Sequence, residues 1–573
     1  LRLAGILCAL VATSGDARAD YPIMSHRYLA DPGSLVHSGR VYLYNSNDDD
    51  NGNGYQMRSI VCVSSSDMKN WTDHGIVFRV PTDAPWAGFS WAPQPIARDG
   101  TIYLYFGNNA NGVGVASSKD PAGPFKDAKG SVLVDGKTPG ATGTNSWLFD
   151  PGAFIDDDGQ AYLSFGGNGQ NNARIIKLGN NLASVTGSAA ALSPTGFFEA
   201  SFLFKRKDLY YFAYSSDSSH GLRIDYMTSA SPMSGYTYRG VLAGQPPVND
   251  NNNHASEFVF KGQWYHAYHN RFVANQAKID ATYKRNLALE VLNFAADGTV
   301  EQVTYTADGV PQVGTLDPYV RVEAETMKAQ SGIETEACNG GGVDVTGIDD
   351  GDWISVRGVD FGAAGAKTFR ARVASTASGG AIEVRSGSPT GTRLATCSVP
   401  ATGPQTWATT TCNVSGATGV VKDLYFRFAG AGFAFDSWQF TGGDGGTGGA
   451  GGSPGTGGAG AAGSGDAAPG GWGAGGENGS GGAATGGITP TGGTGTGGAT
   501  GGAALDGGGT TDGPGGSVTP TGGTSGSGSG PETSGGCATV AAGDVASSMS
   551  VGIGAVMLLL VAARGRLPGG SRS

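Results

Sequence analysis

Residues 147–167 read WLFDPGAFIDDDGQAYLSFGG: Asp-Pro-Gly, a short apolar run, a polar turn, then an aromatic-bearing run. Nearly the same phrase occurs at residues 29–46, LADPGSLVHSGRVYLYNS, with its aspartate at Asp31. Three further segments share the pattern: WAPQPIARDGTIYLYFG from Trp91, EASFLFKRKDLYYFAYS from Glu199 and HASEFVFKGQWYHAYHN from His254. Counted from Asp31, Trp91, Asp150, Glu199 and His254, the repeats are 60, 59, 49 and 55 residues apart. Short β-type runs such as RSIVCVSSS, GVGVASS, ARIIKLG and LRIDYMTSA lie between them, with turn signals every eight to twelve residues or so and hardly any helical periodicity. Five such units of about four strands each predict a five-bladed β-propeller over residues 20–315.

Matched blade positions stand at one depth around a propeller axis, so the five lead residues converge on one mouth. Two aspartates and a glutamate among them crowd like charges, which packing alone does not call for. A lone Asp-Pro-Gly reads as a turn cap; three acids at matched positions point to chemistry. Glycoside hydrolysis uses one protonated acid for the leaving oxygen and one ionised carboxylate across the ring. A third carboxylate nearby raises the pKa of the acid. Trp86, Trp91 and Trp147, close in sequence to the mouth, are candidates for stacking on sugar faces.

The rest of the chain divides by composition. Of 573 residues, 101 are glycine, concentrated at about 442–536 in runs such as TGGTGTGGATGGAALDGGG. That stretch has too little apolar side chain to offset the entropy of ordering, and is expected to be a disordered tether spanning about 50–60 Å. Residues 1–19 read as a signal peptide ending at Ala17-Arg18-Ala19. Residues 537–573 begin at Cys537 and carry a hydrophobic helix, MSVGIGAVMLLLVAARGR, closed by Arg564 and Arg566. This tail resembles the C-terminal sorting tails of bacterial surface proteins. The implied location is the cell surface or the medium, with membrane anchoring only through the tail. Cys397 and Cys412 flank SVPATGPQTWATTT and are candidates for a disulfide on neighbouring strands; Cys62 and Cys338 stand alone. A formal net charge of −11 with no basic run argues against nucleic acid as a partner.

On these motifs, residues 20–315 resemble glycoside hydrolase family 43, five-bladed propeller enzymes that act by inversion on arabinose- and xylose-containing polysaccharides. The resemblance implies Asp31 in LADPG as base, Asp150 in LFDPGAF as the aspartate that modulates the acid, and Glu199 in FFEAS as general acid. It places Trp91 of SWAP, His254 and Arg285 on the substrate side, and implies a calcium ion in the channel near His254.

Residues 319–441, from YVRVEAETM to FAFDSWQF, alternate apolar and polar without a helix signal and predict a β-sandwich. They resemble carbohydrate-binding module family 6, a jelly roll with a structural calcium, which implies Glu323, Glu325 and Asp436 as its ligands. Oxygen donors brought together from the two chain ends suit Ca²⁺. Trp407 matches the aromatic sugar platform of that family. The partner aromatic falls on Gly347 and an asparagine on Ala434, so the usual cleft is expected to be weak or shifted to another face.

The combined expectation is an all-β, exported, monomeric hydrolase acting on polysaccharide, resembling most the α-L-arabinofuranosidases that debranch arabinoxylan. The alternative within the class is a β-xylosidase or another hydrolase of pentan or galactan. The alternative of another class is a polysaccharide-binding adhesin, against which the intact set Asp31, Asp150 and Glu199 argues.

Overall fold

The computed structural model describes residues 22–442 except 144, 250 and 378. The expected signal peptide, tether and C-terminal helix lie outside the described residues. Blade 1 is built from β1 (Leu29–His37), β2 (Arg40–Asn47), β3 (Ser59–Ser65) and β4 (Trp71–Arg79). Blade 2 comprises β5 (Trp91–Arg98), β6 (Thr101–Gly107), β7 (Val113–Ser118) and β8 (Lys126–Asp127). Blade 3 follows with β9 (Gly152–Ile155), β10 (Ala161–Phe165), β11 (Ala173–Leu178) and β12 (Val185–Leu192). Blade 4 holds β13 (Phe197–Arg206), β14 (Leu209–Ser216), β15 (Ile224–Ser229) and β16 (Thr237–Ala243). Blade 5 holds β17 (Ala255–Phe260), β18 (Gln263–Asn270), β19 (Asn286–Phe294) and β20 (Val300–Glu301). Each blade is an antiparallel meander in chain order.

The ring closes through its inner strands: β1 touches β5, β5 touches β9, β9 touches β13, β13 touches β17, and β17 returns to β1. One apolar cluster fills each junction between blades. Leu29, Val41 and Val63 meet Phe258, Tyr265 and Leu287 where blade 5 returns to blade 1. The other four junctions are filled in the same way. Because blades pack face to face, their strands are buried on both sides; β3, SIVCVSS, is buried throughout. That is why the sequence shows short continuous apolar runs rather than clean alternation.

The second module contains β21 (Val322–Glu323), β22 (Thr326–Met327), β23 (Ala329–Ser331), β24 (Glu334–Ala337), β25 (Val343–Thr346) and β26 (Trp353–Asp360). It continues with β27 (Ala366–Ser375), β28 (Gly380–Ser386), β29 (Thr392–Val399), β30 (Ala408–Asn413), β31 (Val420–Ala429) and β32 (Phe433–Gly442). One sheet runs β24-β25-β32-β27-β30 and the other β23-β26-β31-β28-β29, over a core that includes Phe369, Phe426, Phe435 and Trp438. Cys397 and Cys412 form a disulfide. Their strands are consecutive in sequence but edge opposite sheets, so the bond stitches the two layers together.

β22 does not pair within the sandwich. It adds a fifth strand to blade 1, with Thr326 opposite Thr72 and Met327 opposite Trp71. Below this seam Asp73, with its side chain fully buried, accepts from Arg27 Nε at 2.7 Å, Thr335 Oγ1 at 2.9 Å and His26 Nε2 at 3.0 Å. Asn70 exchanges two hydrogen bonds with the Arg357 backbone, at 2.7 and 2.8 Å. Removing one partner of a buried pair leaves the others uncompensated, at a cost of about 3–5 kcal/mol. Asp73→Ala is therefore expected to lower denaturant stability by about that amount. The parent should unfold propeller and sandwich in one joint calorimetric transition; two resolved transitions would contradict the seam.

Candidate active site

The backbone of the inner strands explains the repeated Asp-Pro-Gly. Asp31, Ala92, Asp150 and Ala200 all adopt left-handed φ, at 52°, 45°, 49° and 56°. The ladder shifts register across three of these corners, between Ala30 and Gly33, Trp91 and Gln94, and Glu199 and Phe202. Among non-glycine residues aspartate tolerates this conformation comparatively well, and a following proline disfavours the right-handed alternative. The glycine has a separate reason. A Cβ on Gly33 would run into the carbonyl oxygen of Pro93 on blade 2, and one on Gly152 into that of Ser201 on blade 4. Corner and close approach together bring neighbouring blades into contact at the axis.

This alignment corrects the set of matched lead residues. Asp31 and Asp150 occupy the corner itself, whereas Trp91 and Glu199 precede the corner residues Ala92 and Ala200 by one position. The acids therefore come from two successive backbone positions, not one.

Asp31, Asp150 and Glu199 are all buried and within electrostatic reach of one another. Asp31 Oδ1 accepts from Arg285 Nη1 at 2.6 Å, and the Asp31 backbone N–H donates to His269 Nδ1 at 3.2 Å. His269 Nε2 donates in turn to the Asn252 carbonyl at 3.2 Å, which fixes the neutral tautomer. His254 lies between two of the acids, its Nδ1 3.8 Å from Asp31 Oδ1 and 3.9 Å from Asp150 Oδ2. Asp150 Oδ2 accepts the Ala200 backbone N–H at 3.1 Å. Asn252, hydrogen-bonded to Glu199 through its side chain, is itself held by Arg271 Nη2 at 2.9 Å and Tyr55 Oη at 3.3 Å.

Charge separates the carboxyls. Burial pushes Asp31 up, but the Arg285 guanidinium beside it holds it well below the usual carboxylate range. Burial first and the Asp31 charge second push Glu199 up to about 8, against Arg285 and the Asn252 hydrogen bond. Burial, then the charges of Glu199 and Asp31, also hold Asp150 well above its ordinary value. The expectation that the charge of Asp150 keeps Glu199 protonated is revised: Asp150 shares the elevated range, and Asp31 is the ionised neighbour. Burial lowers His254 and His269 to about 4, so both are neutral at ordinary pH.

Arg285 differs from the substrate-facing residue expected. Its side chain is only 1% exposed, and its nitrogens are engaged with Asp31 and with Asp48. Trp91 is half-buried in a continuous aromatic wall, with ring centroids 6.5 Å from Tyr55, 5.5 Å from Phe89 and 6.5 Å from Phe149. Trp147 continues the wall toward Phe149 and Phe198. Trp86 leaves the expected set: it packs on Phe106 and donates to Asp127 on β8, the outermost strand of blade 2. Trp407 belongs to the sandwich, where the Arg372 guanidinium lies 4.8 Å from its ring and Asn339 Oδ1 accepts its N–H at 2.9 Å. Asp48, His269, Asn252 and Arg271 were not picked out from sequence.

Among the described residues no group of three or more His, Cys, Asp or Glu side chains stands in metal-holding geometry, around His254 or at Glu323, Glu325 and Asp436. Glu323 and Asp436 share Arg321 at 2.8 and 3.1 Å, and Asp436 also pairs with Arg372 at 2.7 Å. Glu325 is buried with its Oε2 lacking a hydrogen-bond partner. The donor set at these three residues fits calcium in kind, oxygen ligands with one orphaned, while two members are turned toward arginines.

The family model for glycosyl hydrolases family 43 matches residues 19–300, and that for carbohydrate binding module (family 6) matches residues 323–442. An arabinoxylan arabinofuranohydrolase of Bacillus subtilis (strain 168) is 41% identical over 476 residues, 73% of this chain and 92% of the relative. A second, from Paenibacillus polymyxa, is 38% identical over 479 residues, 74% of this chain and 75% of its own. The crystal structure of a family 43 arabinoxylan arabinofuranohydrolase from Bacillus subtilis, in complex with cellotetraose, superposes with a TM-score of 0.70 at 39% identity. It covers 74% of this chain and 98% of that one.

Proposed function

The chain belongs to glycosyl hydrolase family 43, and on that premise we propose that it removes α-L-arabinofuranosyl branches from arabinoxylan with inversion of configuration. It is a glycoside hydrolase with a family 6 module behind its propeller. The observation that carries the reading is the opposed protonation of two buried carboxyls: Asp31 held charged by Arg285, Glu199 holding its proton up to about 8. Glu199 gives its proton to the glycosidic oxygen as the C–O bond breaks. Asp31 takes a proton from the water whose oxygen forms the new bond to the anomeric carbon from the opposite face. Asp150 stands beside the acid and, through the Ala200 N–H, ties blade 3 to blade 4. The aromatic wall around Trp91 offers faces and edges to sugar rings.

Calcium in the sandwich would be held by Glu323, Glu325 and Asp436 and would supply positive charge to the orphaned Glu325 and to Glu323 and Asp436, which otherwise depend on Arg321 and Arg372. Chelation is expected to lower the melting temperature, with recovery on adding Ca²⁺; an unchanged transition would count against the site. For location, we place the enzyme outside the cytoplasm, tethered through residues 537–573, a reading supported by the Cys397–Cys412 disulfide. Activity retained on washed cells and lost on deleting the tail is the expected result.

The hydrolytic assignment is tested with arabinoxylan, aryl arabinofuranoside and aryl xyloside side by side. Arabinose release is expected to dominate, and proton NMR should show the inverted anomer first. Turnover should hold up to about pH 8 and fall above it as Glu199 ionises. Glu199→Gln should cut turnover of polysaccharide about 10²–10⁴-fold, with a smaller loss on good aryl leaving groups. A retained anomer, or near-normal polysaccharide turnover by Glu199→Gln, would overturn the assignment.

A further inference from the structure

Asp48 leaves β2 at the start of the connection to β3, in the run Asn47-Asp48-Asp49-Asp50, outside every repeated motif of the blades. Its carboxylate nevertheless grips Arg285 across the ring closure between blades 1 and 5. Asp48 Oδ2 accepts the Arg285 backbone N–H at 3.0 Å and Nε at 2.9 Å, and Oδ1 accepts Nη2 at 2.8 Å. The remaining terminal nitrogen, Nη1, is the one that reaches Asp31. Both side chains of the Asp48–Arg285 pair are 1% exposed, and the Tyr55 ring covers the guanidinium at 5.0 Å. A group so enclosed has no solvent to screen it and little room to turn.

We propose that Asp48 is a positioning residue for the hydrolytic reaction, fixing Arg285 against Asp31 and leaving the Asp31–Arg285–Asp48 group with one net negative charge. The count is two carboxylates, Asp31 and Asp48, against one guanidinium. Without Asp48, Arg285 would neutralise Asp31 outright, and its field at Glu199 would be opposed by Asp31 alone. The general acid would then lose its proton at lower pH, and the base would be less ready to accept one. Asp48 thus acts on both ends of the reaction through Arg285 while touching neither reacting atom.

The other charged and titratable groups of this region are Asp31, Asp150, Arg285 and Tyr55 around Glu199, His254 between Asp31 and Asp150, and His269 on Asp31. Arg271, fully buried, faces Glu199 across Asn252, to whose Oδ1 it donates at 2.9 Å; Lys284, Asp49 and Asp50 adjoin the Asp48–Arg285 pair in the chain. Asp48→Asn keeps an acceptor for Arg285 and removes the charge alone.

The inference rests on Glu199 as the acid, so the experiment includes Glu199→Gln as its reference. The pH dependence of kcat is measured on a substrate with a poor leaving group for the parent, Asp48→Asn, Asp48→Glu and Glu199→Gln, with circular dichroism to establish folding. In Asp48→Asn the alkaline limb should move down by about one pH unit, an extra loss of about fivefold at pH 8 relative to pH 6. Asp48→Glu, which keeps the charge, should leave the limb in place while lowering kcat. If Asp48→Asn does not fold, Asp48→Ser is measured with and without formate, which should restore the limb by refilling the anion position. An unmoved limb in folded Asp48→Asn, or in Asp48→Ser regardless of formate, overturns the inference. If instead Glu199→Gln retains the parent limb, it is the assignment of the acid that fails.

Discussion

One buried guanidinium organises the catalytic end of the propeller. Arg285, immediately before β19, reaches back across the ring to Asp31 at 2.6 Å and Asp48 at 2.8 Å, residues more than two hundred positions earlier in the chain. A buried charge is tolerated only when paired and hydrogen-bonded, and here the pairing partners sit on the first blade. Closing the ring and setting the charge of the base are thus the same event. The apolar cluster at that junction, with Leu29 and Val41 facing Phe258 and Leu287, holds the two blades at the distance the ion pairs need.

The protonation pattern follows from this arrangement rather than from any single acid. Glu199 and Asp150 have burial in common, and both are pushed toward the neutral form; Asp31 is equally buried but has Arg285. Three carboxyls of similar intrinsic acidity are sorted by one cation. The neutral imidazoles of His254 and His269 complete the surroundings without adding charge, and His269 orients the Asp31 backbone at a corner strained into left-handed φ.

The propeller was legible because each blade repeats a short apolar run, a turn and an aromatic run, and burial on both faces makes those runs conspicuous. Asp31, Asp150 and Glu199 stood out because they sit at or beside a recurring backbone corner. The one-residue offset of Glu199 from the aspartates was invisible, since a left-handed φ leaves no mark on an alanine such as Ala200. Asp48 and His269 were missed for a different reason. Each acts through a partner at least 237 positions away, and an aspartate in an acidic run or a histidine among strand aromatics looks like surface or core. Trp86 misled in the other direction: proximity in sequence to Trp91 placed it at the mouth, while its hydrogen bond to Asp127 sets it beside the outermost strand of blade 2. The two-residue strand β22 is too short for any periodicity to announce it.

That short strand has a consequence for how such chains can be assembled. β22 pairs with Trp71 and Thr72 at the start of the outer edge of β4, so the edge of blade 1 is capped where the sandwich adjoins it. An edge of this kind, left bare, is a template for pairing with another chain. The two modules are therefore not interchangeable cassettes on a string: an ancestor that gained or lost the sandwich had also to solve the exposed edge. Recombination that respects only the sequence boundary between modules would deliver a propeller primed to stick to its own copies.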